Sequence, residues 1–346
     1  MTTKAYAAQS ATSPLAPYTF TRRAPGPNDV VVEIDYCGIC HSDIHTARSE
    51  WGPAYYPCVP GHEIVGHVIQ VGKKVKKFKV GDLAGVGCFV DSCGKCKNCK
   101  NQEQQFCEVK TCFTYNSTEL DGKTPTQGGY SSHITVKQDY VLKIKKGAPL
   151  DRIAPLLCAG ITTYSPLKRY GTKKGKKVGV VGLGGLGHMA VKIAKAMGAE
   201  VTVFSTSPGK EADARKLGAK NFVMTKDPAQ FAAWTGKLDL IVNTVSAAHD
   251  VTPYLGTLKL DGTMALVGGA PEPNQFAAFG LIFGRKKMVG SLIGGIKETQ
   301  EMLDFCVRKK VFSDIETIPA SMINEAYERT IKSQVKYRFV IDMKTL

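Results

Sequence analysis

Nine residues, CGICHSDIH at 37–45, hold two cysteines, two histidines, a serine and an aspartate. Thiolates and neutral imidazoles bind zinc. A thiolate beside a histidine is equally the start of a nucleophile, and short polar side chains also cap turns. The stretch alone leaves all three readings open. A second cluster is more specific. Cys93, Cys96, Cys99 and Cys107 follow the pattern C-x2-C-x2-C-x7-C. Four thiolates converging from one loop enclose a tetrahedral zinc and leave no open position, so the expected role is structural. An iron–sulfur cluster shares the CxxC spacing, but the fourth interval and the lack of a Cys-Pro argue against it.

A third motif, GLGGLG at 182–187, directly follows the apolar run Lys177–Val181 and opens the helically spaced MAVKIAKAMG. In that context GxGxxG marks a dinucleotide site. Gly182 permits the tight turn, Gly184 lets the backbone approach a pyrophosphate, and Gly187 lets helix and strand pack. Leu183, Gly185 and Leu186 complete the expected cradle, with the helix N-terminus turned to the phosphates. An NAD site usually carries an acid at the end of the next strand, to bind the ribose 2′-hydroxyl. Here that strand is followed by Ser205, Thr206 and Ser207, with Lys210 close behind and Glu200 at its far end. Hydroxyl donors and an ammonium suit a 2′-phosphate, so the expected cofactor is NADP(H). The competing reading is that these serines only cap the next helix.

The elements that must position these groups change in texture along the chain. At 346 residues, two domains are expected. The first 150 residues read as an irregular β region, with strands at Val30–Ile34, 63–71 and 140–144 punctuated by glycine and proline turns. From about residue 175, strands and helices alternate: Lys177–Val181, 200–204, a helix at 209–217, Asn221–Met224, then LDLIVNT, TMALVG and KMVGSLI. That alternation predicts a doubly wound parallel sheet, an α/β fold. A helix from about 297 and the strand-like YRFVIDM are expected to return to the first domain. The expected boundaries are 1–150, with a zinc lobe at 88–112, then 151–294, then 295–346.

Composition narrows the partners. The chain lacks a signal-peptide core and any run of 18 apolar residues, which predicts a cytoplasmic protein without a membrane span. Eleven cysteines are then expected to stay reduced. A net charge of +16 suits an anionic cofactor or nucleic acid. No aromatic-rich RNA signature accompanies the lysines, and nucleic acid is not the expected partner.

GHEIVG at 61–66, the four-cysteine lobe, CAGITTYSPL at 158–167 and GLGGLG occur in this order. With GSLIGGIKETQEMLDF and KYRFVID near the end, they resemble the zinc-dependent medium-chain alcohol dehydrogenases over nearly the whole chain. The likeness is greatest to the cinnamyl alcohol dehydrogenase branch of NADPH-dependent aldehyde reductases. The resemblance implies a GroES-like catalytic domain plus a Rossmann domain. Two cysteines and a histidine are the known zinc ligands of alcohol dehydrogenases, and the resemblance places them at Cys40, His62 and Cys158. Spacing could not have selected Cys158. By the same resemblance Glu63 is the acid behind the zinc, and Asp43 orients a ligand histidine. Ser42 touches the substrate oxygen, His45 is the outer proton-relay member, and His41 contacts the pyrophosphate. Thr162, Thr244, Gly268, Ser291 and Ile293 line the cofactor. The expected activity is interconversion of alcohols and aldehydes, with two zinc ions per chain and a homodimer joined through the edge strand Lys287–Ile293.

The remaining residues receive plainer readings. Cys37, Cys58, Cys88, Cys112 and Cys306 are expected as buried small hydrophobes. His67, His133, His188 and His249 show no partner pattern. Trp51 and Tyr115 suit a pocket mouth or core packing equally. Plant lignin enzymes of this branch tend to carry a large aromatic where Cys112 stands, so broad aldehyde specificity is expected. Two rival functions remain: a quinone or enone reductase of the same superfamily, and a zinc-stabilised nucleic-acid-binding protein.

Overall fold

Valine-rich runs and glycine turns make residues 1–158 a region of short strands, seen here in a computed structural model that describes residues 1–346. β1 (Thr2–Ala7) and β2 (Ala16–Thr21) form an antiparallel ribbon. β3 (Asp29–Gly38) is ten residues long and mostly buried, and leads into α1 (His41–Ala47). β4 (Ile64–Val71) returns antiparallel to β3, and β5 (Leu83–Val86) extends the sheet. β6 (Phe89–Ser92) and β7 (Thr111–Phe113) pair with each other, and the four-cysteine loop, with α2 (Lys97–Lys100), hangs between them. β8 (His133–Lys137) covers the other edge of β3's N-terminal half. β9 (Leu142–Lys143) is shorter than the expected 140–144 strand, because Gln138–Tyr140 is wound into a 3-10 turn. α3 (Leu150–Ile153) and a second 3-10 turn then carry the chain to Cys158.

Residues 159–293 form the second unit. α4 (Ala159–Arg169) precedes β10 (Lys177–Val181), α5 (Gly185–Ala196) and β11 (Glu200–Ser205). α6 (Glu211–Leu217), β12 (Asn221–Met224), α7 (Pro228–Ala232) and β13 (Leu238–Asn243) follow. α8 (Thr252–Thr257), β14 (Leu258–Leu266), α9 (Phe279–Ile282) and β15 (Lys287–Gly290) complete it. All six strands are parallel, in the order β12-β11-β10-β13-β14-β15. This is the doubly wound order whose strand reversal, beside β10, marks a dinucleotide crevice. β15 ends at Gly290 rather than at the expected Ile293, which takes a positive φ of 36° and breaks the extended run.

The tail rejoins the first unit. α10 (Ile296–Lys309), β16 (Ile315–Pro319), α11 (Ile323–Ile331) and β17 (Arg338–Asp342) belong with residues 1–158. β17 pairs antiparallel with the end of β3, Val340 opposite Gly38, giving the sheet β16-β17-β3-β4-β5-β9. The units divide after Cys158 rather than after residue 150, because α3 packs on β3 and β4.

The second unit's core centres on Phe204, fully buried with its ring 5.7 Å from both Phe231 and Tyr254. Phe204→Ala is expected to cost about 3–5 kcal/mol. The check is the midpoint of urea unfolding, which should fall clearly below that of the parent.

Candidate catalytic metal site and cofactor cradle

Asp43 organises the first site. It is fully buried at the start of α1. One carboxylate oxygen accepts the Cys40 N–H at 2.9 Å and the Tyr130 hydroxyl at 3.1 Å. The other accepts the Gly61 N–H at 3.0 Å and meets His62 Nδ1 at 3.0 Å. A carboxylate only accepts, so Nδ1 carries the hydrogen and Nε2 is left as the ligand atom, the usual way a metal-binding histidine is oriented.

Four donors converge in front of it. The ligand atoms of Cys40, His62, Glu63 and Cys158 all lie within 4.8 Å of one another, and all four residues are buried. Cys40 Sγ and Cys158 Sγ stand 4.0 Å apart; a tetrahedral zinc with 2.3 Å bonds separates two sulfurs by about 3.8 Å. The contact with Cys158 holds the Cys40 thiol well below its usual value, and the same contact pushes Cys158 well above it. A divalent cation binds thiolates and would displace the thiol protons of both. Glu63 Oε1 accepts Arg338 Nη2 at 2.5 Å, while Oε2 is buried without a partner. A side chain at Gly38 would strike that oxygen, since a Cβ there would lie 1.9 Å from it. Burial pushes the Glu63 carboxyl up to about 8, against the pull of Arg338. Two thiols, an imidazole and an orphaned buried carboxylate oxygen in one cluster fit a zinc ion.

Ser42 stands beside this cluster, its Oγ 3.6 Å from Cys40 Sγ. His45 follows one turn later on α1, on the same side of the helix. Its Nδ1 meets Glu50 Oε2 at 2.5 Å, and its ring stacks on half-exposed Trp51. His41 is exposed, its ring 6.1 Å from that of His45. Tyr115 is buried and stacks on His62 at 5.7 Å, so it walls the site rather than the mouth. Glu50, Tyr130 and Arg338 were not singled out by sequence reasoning, since only the folded register brings them here. Cys88 needs correction. It is not fully buried filler: its thiol interacts with Cys158, which holds it below its usual value, and donates to Leu157 O at 3.7 Å. Cys37, Cys58, Cys112 and Cys306 are buried as expected.

The lobe gathers its four cysteines likewise within 4.8 Å. Cys93 and Cys99 sulfurs lie 3.9 Å apart, and Cys96 and Cys107 sulfurs 4.0 Å apart, again zinc-like spacings. Backbone N–H groups of Lys95 and Cys96 point at Cys93 Sγ and that of Lys110 at Cys107 Sγ, and Ser92 Oγ lies 3.1 Å from Cys99 Sγ. Such donors favour thiolates.

The cradle lies in the second unit. Val181 is level with Asn243 across β10 and β13, which brings Gly182 and Thr244 together beyond the strand ends. Thr244 Oγ1 donates to Val181 O at 2.8 Å. Gly182 turns with φ 87°, and a Cβ on Gly187 would lie 2.2 Å from Gly182 O. Nothing lies within 4 Å of the space a Gly184 side chain would fill, which is where a pyrophosphate would approach. Leu183 is buried, and Gly185 and Leu186 open α5. Past β11, Ser205 is nearly buried and accepts the Ser207 N–H at 3.2 Å; Thr206 is exposed, and Lys210 ends the 3-10 turn before α6. Gly268 packs against Val245, where a Cβ would lie 2.3 Å from the carbonyl oxygen. Ser291 N–H donates to Leu266 O, while Thr162 and Ile293 are buried.

Comparison with known proteins identifies the class. Residues 26–146 match the alcohol dehydrogenase GroES-like domain, and residues 185–308 the zinc-binding dehydrogenase domain. The chain belongs to the zinc-type medium-chain alcohol dehydrogenases. It is 56% identical to NADP-dependent alcohol dehydrogenase C 1 of Mycolicibacterium smegmatis, over 100% of this chain and 99% of that one. It is 53% identical to aldehyde reductase YahK of Escherichia coli, with the same coverage. A cinnamyl alcohol dehydrogenase of Sorghum bicolor superposes with a TM-score of 0.97 at 46% identity, covering 99% of this chain and 98% of that one.

Asp43→Asn should weaken metal at the buried cluster by roughly 10–100-fold and spare the lobe. Zinc counted after dialysis against a graded chelator should show that site emptying first.

Proposed function

We propose that the protein reduces aldehydes to alcohols with NADPH, and runs the reverse with NADP, as a broad aldehyde reductase acting on aromatic and aliphatic substrates. The observation that carries this reading is the cluster of two thiols and one oriented imidazole with a serine hydroxyl beside it. The names of its relatives, alcohol dehydrogenase and aldehyde reductase, support it. A quinone or enone reductase without zinc would not need Cys40, His62 and Cys158.

Cys40, His62 and Cys158 would hold the catalytic zinc, and the four lobe cysteines a structural one, giving two ions per chain. Bound in these sites, zinc supplies Lewis-acid polarisation of a carbonyl, and the reduced nicotinamide supplies hydride. The chain's own groups manage the proton. Ser42 donates its hydroxyl hydrogen to the substrate oxygen as negative charge develops there. His45, one turn along α1 and oriented by Glu50, resupplies it from solvent. Glu63, tied to Arg338, stands behind the ligands. The loop from Gly182 to Gly187 would cradle the pyrophosphate with His41, while Thr162, Thr244, Gly268, Ser291 and Ile293 would line the rest of the cofactor. Thr206, Ser207 and Lys210 would take the 2′-phosphate, joined by Ser205, whose hydroxyl hydrogen stays free when it accepts from Ser207.

We read residues 159–293 as the NADP-binding domain and the remainder as the catalytic domain. β15 is the last strand of its sheet and pairs only with β14, which supports a two-fold homodimer along that edge. No helix is long and apolar enough to cross a membrane, and we place the enzyme in the cytoplasm.

Turnover of an aldehyde panel with NADPH and NADH tests the reading; no oxidation of NADPH by any aldehyde would overturn it. Ser42→Ala should keep its zinc and NADPH affinity but lose roughly 10²–10⁴-fold in kcat, whereas Ser42→Thr keeps activity. Turnover by Ser42→Ala within about threefold of the parent would remove the serine from the relay. Ser205→Asp should move the kcat/KM preference towards NADH, since a carboxylate repels the 2′-phosphate and accepts a 2′-hydroxyl.

A further inference from the structure

The loop that follows β13, residues 244–251, lies at the carboxyl edge of the parallel sheet, where doubly wound folds bind their ligands. Its shape depends on one amide. Asn243, the last residue of β13, is buried. Its Oδ1 accepts the Val245 N–H at 3.2 Å, and its Nδ2 lies 3.0 Å from His249 Nε2. The amide cannot be reversed, because Nδ2 would then face the Val245 N–H, donor against donor. Nδ2 therefore donates, and His249 Nε2 must accept. The ring hydrogen sits on Nδ1, which donates to Ala247 O at 2.8 Å. Both ring nitrogens are thus committed in a single tautomer.

The same residue ties down the far end of the loop. The His249 N–H donates to Asn274 Oδ1 at 3.2 Å, and His249 O accepts the Gln275 N–H at 3.2 Å. Asn274 and Gln275 belong to the stretch between β14 and α9. That stretch starts at Val267 and Gly268, whose N–H groups donate to the Asn243 carbonyl at 3.0 and 3.2 Å. His249 thereby joins the loops that carry Thr244 and Gly268. The tie also reaches the glycine turn. A Cβ on Gly182 would lie 3.1 Å from Val245 Cγ2, and one on Gly268 would lie 2.3 Å from Val245 O. Val245, whose N–H the Asn243 amide holds, is packed between two glycines of the cradle, and in so close a packing a shift of one moves the others.

A histidine that only filled space would pack its ring and leave its nitrogens to water. This ring does meet Tyr254, edge to face at 5.9 Å. Yet both its nitrogens and both its backbone groups are bonded within the two loops.

We infer that His249 is a positioning residue for the dinucleotide, a latch that holds the loops after β13 and β14 in the shape that receives it. The inference rests on the NADP(H) reading above and concerns the same crevice. The latch acts through the Asn243 amide, which sets Val245 between Gly182 and Gly268. An unlatched loop has to be ordered as the cofactor binds, so apparent affinity falls with the fraction of molecules latched beforehand.

The test titrates NADPH fluorescence on the full-length, zinc-loaded protein, beside hydrogen exchange of residues 244–251 without cofactor. His249→Ala should raise the NADPH Kd roughly 5–30-fold. KM for NADPH should rise by the same factor, while KM for the aldehyde holds. The loop of this variant should exchange faster than the parent's before any cofactor is added. His249→Gln places an amide oxygen where Nε2 stands, so it should restore most of the affinity. Asn274→Ala leaves the ring and Asn243 in place but frees the far tether. It should weaken NADPH in the same direction, and it carries the test if His249→Ala does not fold. Three results would overturn the inference. The first is a folded His249→Ala that binds NADPH within about twofold of the parent, less than one hydrogen bond is worth. The second is His249→Gln as weak as His249→Ala, which assigns the effect to ring packing on Tyr254. The third is a raised aldehyde KM with the NADPH Kd unchanged. A parent that binds no NADPH is a separate failure, since it removes the cofactor reading and the latch with it.

Discussion

A buried carboxylate is costly unless its lone pairs are filled, and Asp43 fills its two oxygens with four donors. Those donors come from the cap of α1, the turn before β4, the ring of His62 and the hydroxyl of Tyr130. One side chain thereby fixes the start of the helix that carries Cys40 and Ser42, and the turn that carries His62. None of these can shift without leaving a charge unsatisfied in the interior. The rigidity that a metal centre needs thus comes from a polar residue that touches no substrate.

The Glu63–Arg338 pair extends this constraint to the end of the chain. Both residues are buried, and Arg338 also donates to Ile39 O at 2.7 Å. Removing either partner strands a charge, at a typical cost of about 3–5 kcal/mol. Arg338 opens β17, which pairs with the end of β3 just before Cys40. The tail therefore belongs to the first unit and completes the wall behind the ligands there. Continuity of chain and compactness of unit conflict here, and the buried pair favours the return.

Legibility in the sequence followed the range of each contact. The four-cysteine lobe and GLGGLG are local, so spacing alone exposes them. The parallel sheet is nearly local as well, because each strand is followed by its own helix. Even there the edge strand was read too long, since nothing in KMVGSLI announces the positive φ at Ile293. Cys158 became visible only through family resemblance. Arg338, Glu50 and Tyr130 stayed hidden because strand register and helix phase, not spacing, deliver them. Cys88 was misjudged for the same reason: a thiol between β5 and β6 reads as filler until Cys158 is folded against it. His249 showed no partner pattern because Asn274 lies 25 positions on and reaches it only when the loops after β13 and β14 are folded together.

The two thiol clusters differ in how much of the protein must be folded before they exist. The lobe draws every ligand from one short loop, so it closes once β6 meets β7. The other cluster takes Cys40 from a helix cap, His62 from a turn held by Asp43, and Cys158 from the far boundary of the unit. It assembles only when β3, β4 and the turn after α3 are packed. Binding free energy at such a site is folding free energy of the surrounding unit. The same long-range assembly mixes the donors: two cysteines, a histidine and a carboxylate, where the lobe has four cysteines. The chain topology that makes the second site dependent on the whole unit is therefore also what lets it combine three kinds of donor, which one short loop of cysteines does not.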